Sequence, residues 1–373
     1  MKFVLAPDSF KESMTSKEAC NAMERGIKKV IKNAECIKVP MADGGEGTVE
    51  ALVCTTNGSI LKTIVKGPLG NDVEAKFGIL GDKKTAVIEM AEASGIALVD
   101  REKRNPMIST TYGTGQLIKE VLNLGVEKII IGIGGSATND GGAGMVQALG
   151  GSLLDKEGNE INFGGGELGK LEKIDISKLD ERLKNVKIEV ACDVTNPLCG
   201  EYGASYVFGP QKGATKEMVA QLDNNLEHFA EKIKEFLGKD IKNVEGAGAA
   251  GGLGASLLAF LGSKLKKGIH IVIENANLEE KLDGADFLFT GEGSIDNQTI
   301  YGKTPMGVAL VAKEKGVKTI AFGGRILEGA ENLYDIGINA LFSITPGVIS
   351  LDEALKNGSK NLERTVENVV RLL

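Results

Sequence analysis

KFVLAPDSFKESMTSKEACNAMERGIKKVIKNAECIKV, residues Lys2 to Val39, decides the fold class. The run KFVLA reads as a strand, and an amphipathic helix is expected from Ser16 to about Ile31, with Thr15 and Glu18 at its start in a capping-box spacing. CIKV, Cys36 to Val39, reads as the next strand. This order predicts an α/β protein with parallel strands. The C-terminal third repeats it: DFLFT (Asp286 to Thr290), a helix from Pro305 to about Lys315, KTIAFGG (Lys318 to Gly324), ALFSIT (Ala340 to Thr345) and a final helix from about Leu351 to Leu373. Pro305 suits a first helical turn, where its missing N–H would have no partner in any case. Between these ends the pattern is less regular, with IIIGIGG, IEVACDV, YVFGP, HIVIE and several glycine-rich turns. The expectation is an open parallel α/β domain from residues 1–62 plus 282–373, interrupted by a mixed α/β domain at 63–281. No internal repeat or low-complexity tract is evident.

The bulk numbers agree with two domains, since 373 residues exceed what one hydrophobic core usually serves. A net charge of −7, with lysines and arginines dispersed, excludes a nucleic-acid footprint. The N-terminus offers only about four apolar residues before Pro7, and no segment approaches the ~20 needed to span a bilayer. A cytoplasmic protein is expected. Five widely spaced cysteines read as free thiols, and Cys192 with Cys199 is too loose a pair for a zinc knuckle. Only two histidines, His228 and His270, argue against histidine-based catalysis, and His228 reads as a solvated position on a helix.

Four loops combine glycine with carboxylate or amide side chains: PMADGGEGT (Pro40 to Thr48), GIGGSATNDGG (Gly132 to Gly142), CDVTNPLCG (Cys192 to Gly200) and TGEGSIDNQT (Thr290 to Thr299). Glycine-rich backbone cradles phosphate, and carboxylates hold the magnesium that accompanies a nucleotide. In open parallel sheets ligands lie beyond the carboxyl ends of strands. Asp8, Ser9 and Lys11 follow the first strand, Asp43 to Glu46 the second, and Glu292 with Asp296 follow DFLFT, so all three clusters should face one crevice. The bland alternative, turn formation or helix capping by Asp and Ser, has to hold three times over.

Gly132, Gly134 and Ala137 match the spacing of a dinucleotide-binding turn, a weak signal among 50 glycines. Gly246, Gly248 and Gly251 match it too, without a strand before them, and read as a small-residue helix packed closely on a neighbour. Asn139 and Asp140 suit a metal or a sugar hydroxyl, or else cap the following helix. Asn297 to Thr304 approaches a Walker A loop but lacks its first glycine; Lys303 could meet a phosphate and Thr304 a magnesium ion. Asp193 ends the apolar run IEVAC, where partial desolvation would suit a general base, or it binds magnesium. Lys212 either faces an anionic ligand or is an exposed turn lysine.

At these residues the chain resembles the bacterial type-1 glycerate kinase family. APDSFK (Ala6 to Lys11), PMADGGEGT, GIGGSATNDGG, CDVTNPLCG, VFGPQKGA (Val207 to Ala214), GAGAAGGLG (Gly246 to Gly254) and TGEGSIDNQTIYGKTP (Thr290 to Pro305) carry the resemblance in order along nearly the whole chain. Glu12, where the family would have a small residue such as glycine, is a departure that could alter the first turn. The resemblance implies ATP- and Mg²⁺-dependent phosphorylation of D-glycerate, giving 2-phosphoglycerate, on two α/β domains, one flavodoxin-like and discontinuous, with the site between them.

Under that reading Asp193 is base or metal ligand, and Asp43, Glu46 and Asp296 are the other metal or hydroxyl ligands. Lys11 and Arg325 are the candidate cations for the glycerate carboxylate, Lys11 and Asp43 also counting as catalytic. Asp8, Ser9 and Asn139 complete the substrate contacts. Gly44, Gly45, Gly134, Gly135, Ser136, Gly291, Gly293 and Lys303 are the candidate contacts to ATP. Two rivals remain: an NAD-dependent oxidoreductase, drawn from Gly132 to Ala137 with Asp155 downstream, and a non-catalytic sensor of small acids.

Overall fold

The computed structural model describes residues 1–373, the side chains of Gln298 and Tyr301 excepted. Its strands are β1 (Lys2–Leu5), β2 (Glu35–Lys38), β3 (Ser59–Lys66), β4 (Asp72–Ile79), β5 (Thr85–Glu89), β6 (Lys128–Gly132), β7 (Ser152–Leu154), β8 (Lys173–Asp175), β9 (Lys187–Ala191), β10 (Lys264–Lys266), β11 (Phe287–Ile295), β12 (Lys318–Ile326) and β13 (Ile338–Ser343). The chain forms two compact units, Met1–Gly58 with Lys267–Leu373, and Ser59–Lys266.

The first unit carries a parallel sheet ordered β13-β12-β11-β1-β2. Renumbered within the unit this is 2-1-3-4-5, the doubly wound order of flavodoxin, in which the strand order reverses between β1 and β11. Helices cover both faces because the strands are apolar on both. In β12, Ile320 and Phe322 pack with Cys20, Met23 and Ile27 of the helix Ser16–Val30 and with Leu362 and Val366 of the helix Gly358–Val370. Ala321, pointing the other way, joins Ala309 and Leu333. The expected capping box is present: Thr15 Oγ1 accepts from the Glu18 N–H, and the Glu18 carboxylate accepts from the Thr15 N–H.

The second unit holds a mixed sheet, β10-β9-β6-β5-β4-β3, parallel from β5 through β10 and antiparallel at β3, β4 and β5. Ile129 and Ile131 of β6 and Ile188 and Val190 of β9 are buried in its core with Leu117, Val121 and Phe229.

Several elements differ from the sequence reading for local reasons. The inner boundaries fall at 58/59 and 266/267, because β3 pairs with β4 without interruption from Ser59 and because HIVIE lies in a helix, Gly268–Asn275, belonging to the first unit. Strand β11 runs on to Ile295, so Glu292 is a strand residue. The expected C-terminal helix is two helices, Leu351–Lys356 and Gly358–Val370, broken at Asn357. There the Ser13 hydroxyl donates to Leu355 O at 2.6 Å and sits where a side chain on Gly358 would have to go. Gly246 to Gly252 form turns, with left-handed backbone at Gly246, Gly251 and Gly252, and the helix starts only at Leu253. His228 is half-buried, its Nε2 2.7 Å from Leu171 O.

Candidate active site

In the first unit the order reversal between β1 and β11 sets the loop after β1 beside the end of β11. The Asp8 N–H donates to Gly291 O at 2.9 Å, and Asp8 is buried. One of its carboxylate oxygens accepts from the Ser9 N–H at 2.6 Å and the other from the Thr304 hydroxyl at 2.6 Å. Burial, with the Asp43 carboxylate second, pushes the Asp8 carboxyl up to about 6.

Glu292, on β11, accepts from the Thr299 hydroxyl at 2.8 Å. Lys303 Nζ stands 3.7 Å from Glu292 and 3.8 Å from Asp296. Burial nevertheless pushes Glu292 up to about 7 against the opposing pull of Lys303, with Asp8 and Asp296 adding like charge. Lys303 is the residue preceding the helix Thr304–Glu314, whose second position is Pro305. The Thr304 hydroxyl, a candidate magnesium contact in the Walker-like reading, is instead the donor to Asp8.

These contacts gather Asp8, Asp43, Glu292, Asp296, Lys303 and Thr304 at the carboxyl edge of one sheet. Ser9 is half-buried beside them, whereas Lys11, Glu46 and Arg325 are exposed, Arg325 Nε donating to Ser294 Oγ at 2.9 Å. The Asp43 carboxylate accepts from the Gly45 N–H at 3.1 Å, and Gly44 takes left-handed backbone. Gly291 has a packing reason for lacking a side chain, since Phe322 O of β12 lies against its Cα; Gly293 lies beside Phe10 and Lys11 of the first loop. Among the described residues no group of three or more His, Cys, Asp or Glu side chains is arranged to hold a metal ion.

In the second unit the loop after β6 leads to a helix that begins only at Ala143. A dinucleotide turn would start its helix near Ala137, so the geometry departs from that motif. Gly134 and Gly135 are exposed, and their N–H groups, with that of Ser136, meet no protein acceptor among the described residues. Asp140 is wholly buried and accepts from Thr111 N and Oγ1 and from the Gly142 and Gly144 N–H groups, at 2.8 to 3.3 Å. The helix-capping alternative therefore describes Asp140, whose carboxyl burial raises above the usual range against these bonds. Asn139 donates to Ser205 Oγ at 3.0 Å, with its Oδ1 buried and unpartnered.

Asp193 follows β9 but is exposed, not partly desolvated as expected, because the chain leaves the sheet at Ala191. Lys212 is not an exposed turn lysine: it is 2% exposed, and its Nζ donates to Thr138 O at 2.6 Å. The sequence places Glu292 in the cluster that follows DFLFT but assigns it no role, because its spacing does not reveal its burial.

A doubly wound sheet with carboxylates, a lysine and a helix N-terminus at its order reversal defines a ligand-binding α/β enzyme. The chain belongs to the glycerate kinase family, whose profile matches residues 3–373. It is 56% identical over 369 residues to a glycerate kinase of Bacillus subtilis (strain 168), covering 99% of this chain and 97% of that one. It is 53% identical to a glycerate 2-kinase of Escherichia coli (strain K12), covering 100% and 98%. The solved structure of a glycerate kinase 2 from Salmonella typhimurium LT2 superimposes with a TM-score of 0.91 at 50% identity, covering 100% and 98%. The oxidoreductase and sensor alternatives give way to an enzyme of the kinase class.

Proposed function

We propose that this chain transfers the γ-phosphoryl group of Mg·ATP to the 2-hydroxyl of D-glycerate, releasing ADP and 2-phosphoglycerate. The reading is carried by one observation, the gathering of Asp8, Asp43, Glu292, Asp296 and Lys303 at the sheet edge of the first unit. In the reaction the substrate oxygen forms a bond to the γ-phosphorus, the bridging bond to ADP breaks, and the hydroxyl proton is left behind. Glu292 suits the acceptance of that proton, because a carboxylate near neutrality is matched to the operating pH.

Lys303 is proposed to meet the transferring phosphoryl group, with Gly44, Gly45, Gly134, Gly135, Ser136 and Gly293 as contacts along the ATP phosphates; Gly291 is kept with them as a candidate. Asp8, Ser9 and Asn139 are the proposed contacts to glycerate, and Lys11 or Arg325 the cation for its carboxylate, Arg325 by a two-pronged hydrogen bond. Carboxylate oxygens suit Mg²⁺, which is usually held by one or two carboxylates together with phosphates, not by an all-protein cage. Asp43, Glu46, Asp193 and Asp296 are the residues proposed to hold it. The ion would neutralise charge on the phosphates. A cytoplasmic location is part of the same proposal, and no helix among the described residues is long and apolar enough to cross a membrane.

The test is incubation with Mg·ATP and D-glycerate, read through enolase in the absence of phosphoglycerate mutase. Direct enolase turnover is expected for the 2-phosphate. ADP release with an enolase signal only after mutase is added would reassign the accepting hydroxyl, and no glycerate-dependent ADP would overturn the reading.

A further inference from the structure

Burying a lysine is costly unless its charge and hydrogen bonds are met, and a methionine of similar length would fill the space without that cost. Lys212 is 2% exposed, and the hydrogen-bond partner its Nζ takes is a backbone carbonyl. Its hydrogen bond goes to the Thr138 carbonyl, at 2.6 Å. Burial pushes its ammonium down to about 7, with Asp140 opposing the shift. The group is retained against a penalty, so what it holds calls for explanation.

It holds the loop from Ile133 to Gly142. Three carbonyls of that loop accept from side-chain donors on three separate stretches of chain: Ala137 O from Ser109 Oγ at 2.9 Å, Thr138 O from Lys212, and Gly141 O from Ser256 Oγ at 2.6 Å. Gly135 O accepts from the Ile96 N–H at 2.8 Å. With its carbonyls engaged, the loop presents the N–H groups of Gly134, Gly135 and Ser136 without protein acceptors.

Two glycines flank this contact, one at the carbonyl and one beside the lysine. Gly251 packs its Cα against Thr138 O, and Gly213, next to Lys212, takes left-handed backbone against Arg104 O. Within the loop Thr138 Oγ1 and Asn139 Oδ1 are buried without partners, so the conformation is kept at a local cost that side-chain bonding does not repay.

Resting on the phosphate-binding role proposed above for this turn, we infer that Lys212 is a positioning residue, whose bond to the Thr138 carbonyl holds the Gly134–Ser136 N–H groups in place for the nucleotide phosphates. A side chain without an N–H or O–H donor at 212 leaves the Thr138 carbonyl without its partner, and the turn loses its fixed exit.

The experiment measures KM for Mg·ATP, KM for D-glycerate, kcat and Tm for Lys212→Met, Lys212→Arg and Ser109→Ala. Lys212→Met is expected to raise the ATP KM by about 10- to 100-fold, the scale at which small misplacements act, with the glycerate KM little changed. Lys212→Arg, which keeps a cationic donor, should recover most of that loss. Should Lys212→Met fail to fold, Ser109→Ala, a small change at the neighbouring tether, should still raise the ATP KM several-fold. A lowered Tm and kcat with an unchanged ATP KM, or an unchanged ATP KM in Ser109→Ala, would overturn the inference. Wild-type activity on D-glycerate separates the two levels: its absence sinks the kinase reading, its presence with unmoved ATP KM values sinks the tether alone.

Discussion

Glu292 sits 3.7 Å from a lysine, a neighbour that ordinarily lowers a carboxyl pKa, yet burial outweighs it and leaves the group titrating at about 7. The folded chain therefore binds this proton more tightly than the unfolded chain. The stability it contributes is present below about pH 4 and is lost as the pH rises through about 7. Glu292→Gln removes the ionised form, so thermal melts at about pH 8 should show the variant more stable by on the order of 2 kcal/mol, with the advantage gone at about pH 4. The same variant should lose about 10²- to 10⁴-fold in kcat if the residue accepts the substrate proton. A variant with no stability gain at high pH would contradict the burial argument. Asp193, exposed after β9, is proposed as a cation ligand; Asp193→Asn should fold normally, lower turnover by about 10²- to 10⁴-fold and demand more Mg²⁺ for half-maximal rate. Near-normal turnover would remove it from the site. The sequence made Asp193 prominent and Glu292 secondary, because spacing reveals which residues follow a strand but not how much protein surrounds them.

The turn after β1 carries the one departure noticed in the family motifs. Glu12 adopts a left-handed backbone, φ 63°, between Phe10 and Met14, whose N–H and carbonyl groups bond each other across it. A non-glycine residue in that region costs about 1–2 kcal/mol, while glycine loses about 0.5–1 kcal/mol of extra chain entropy. Glu12→Gly should therefore stabilise the protein by about 0.5–1 kcal/mol, measured as a shift in the denaturant midpoint; a loss of stability would mean the side chain has contacts that outweigh the strain. Other elements were legible to different degrees. The capping box at Thr15 and Pro305 at its helix start are local devices, and they appear where the spacing put them. The break at Asn357 was not legible, since it answers to Ser13, a residue far away in the chain.

The whole molecule consists of two units, each with its own apolar core, and the second is one uninterrupted stretch, Ser59–Lys266. Expressed alone, residues 59–266 should fold and unfold in a single cooperative thermal transition, since a unit with a contiguous core carries most of its stabilising contacts internally. A broad, non-cooperative melt would show that the stretch needs the rest of the chain. Alternating apolar runs and amphipathic helices, cap residues and glycine loops were enough to read an α/β chain with an interrupted domain and to mark the loops that carry chemistry, because those signals act between residues close in sequence. Burial and partnership were decided only in the tertiary structure. Asp8 meets Thr304, Lys212 meets Thr138 and Glu292 loses its water to packing from several elements, interactions between residues far apart in sequence whose strength depends on how completely solvent is excluded.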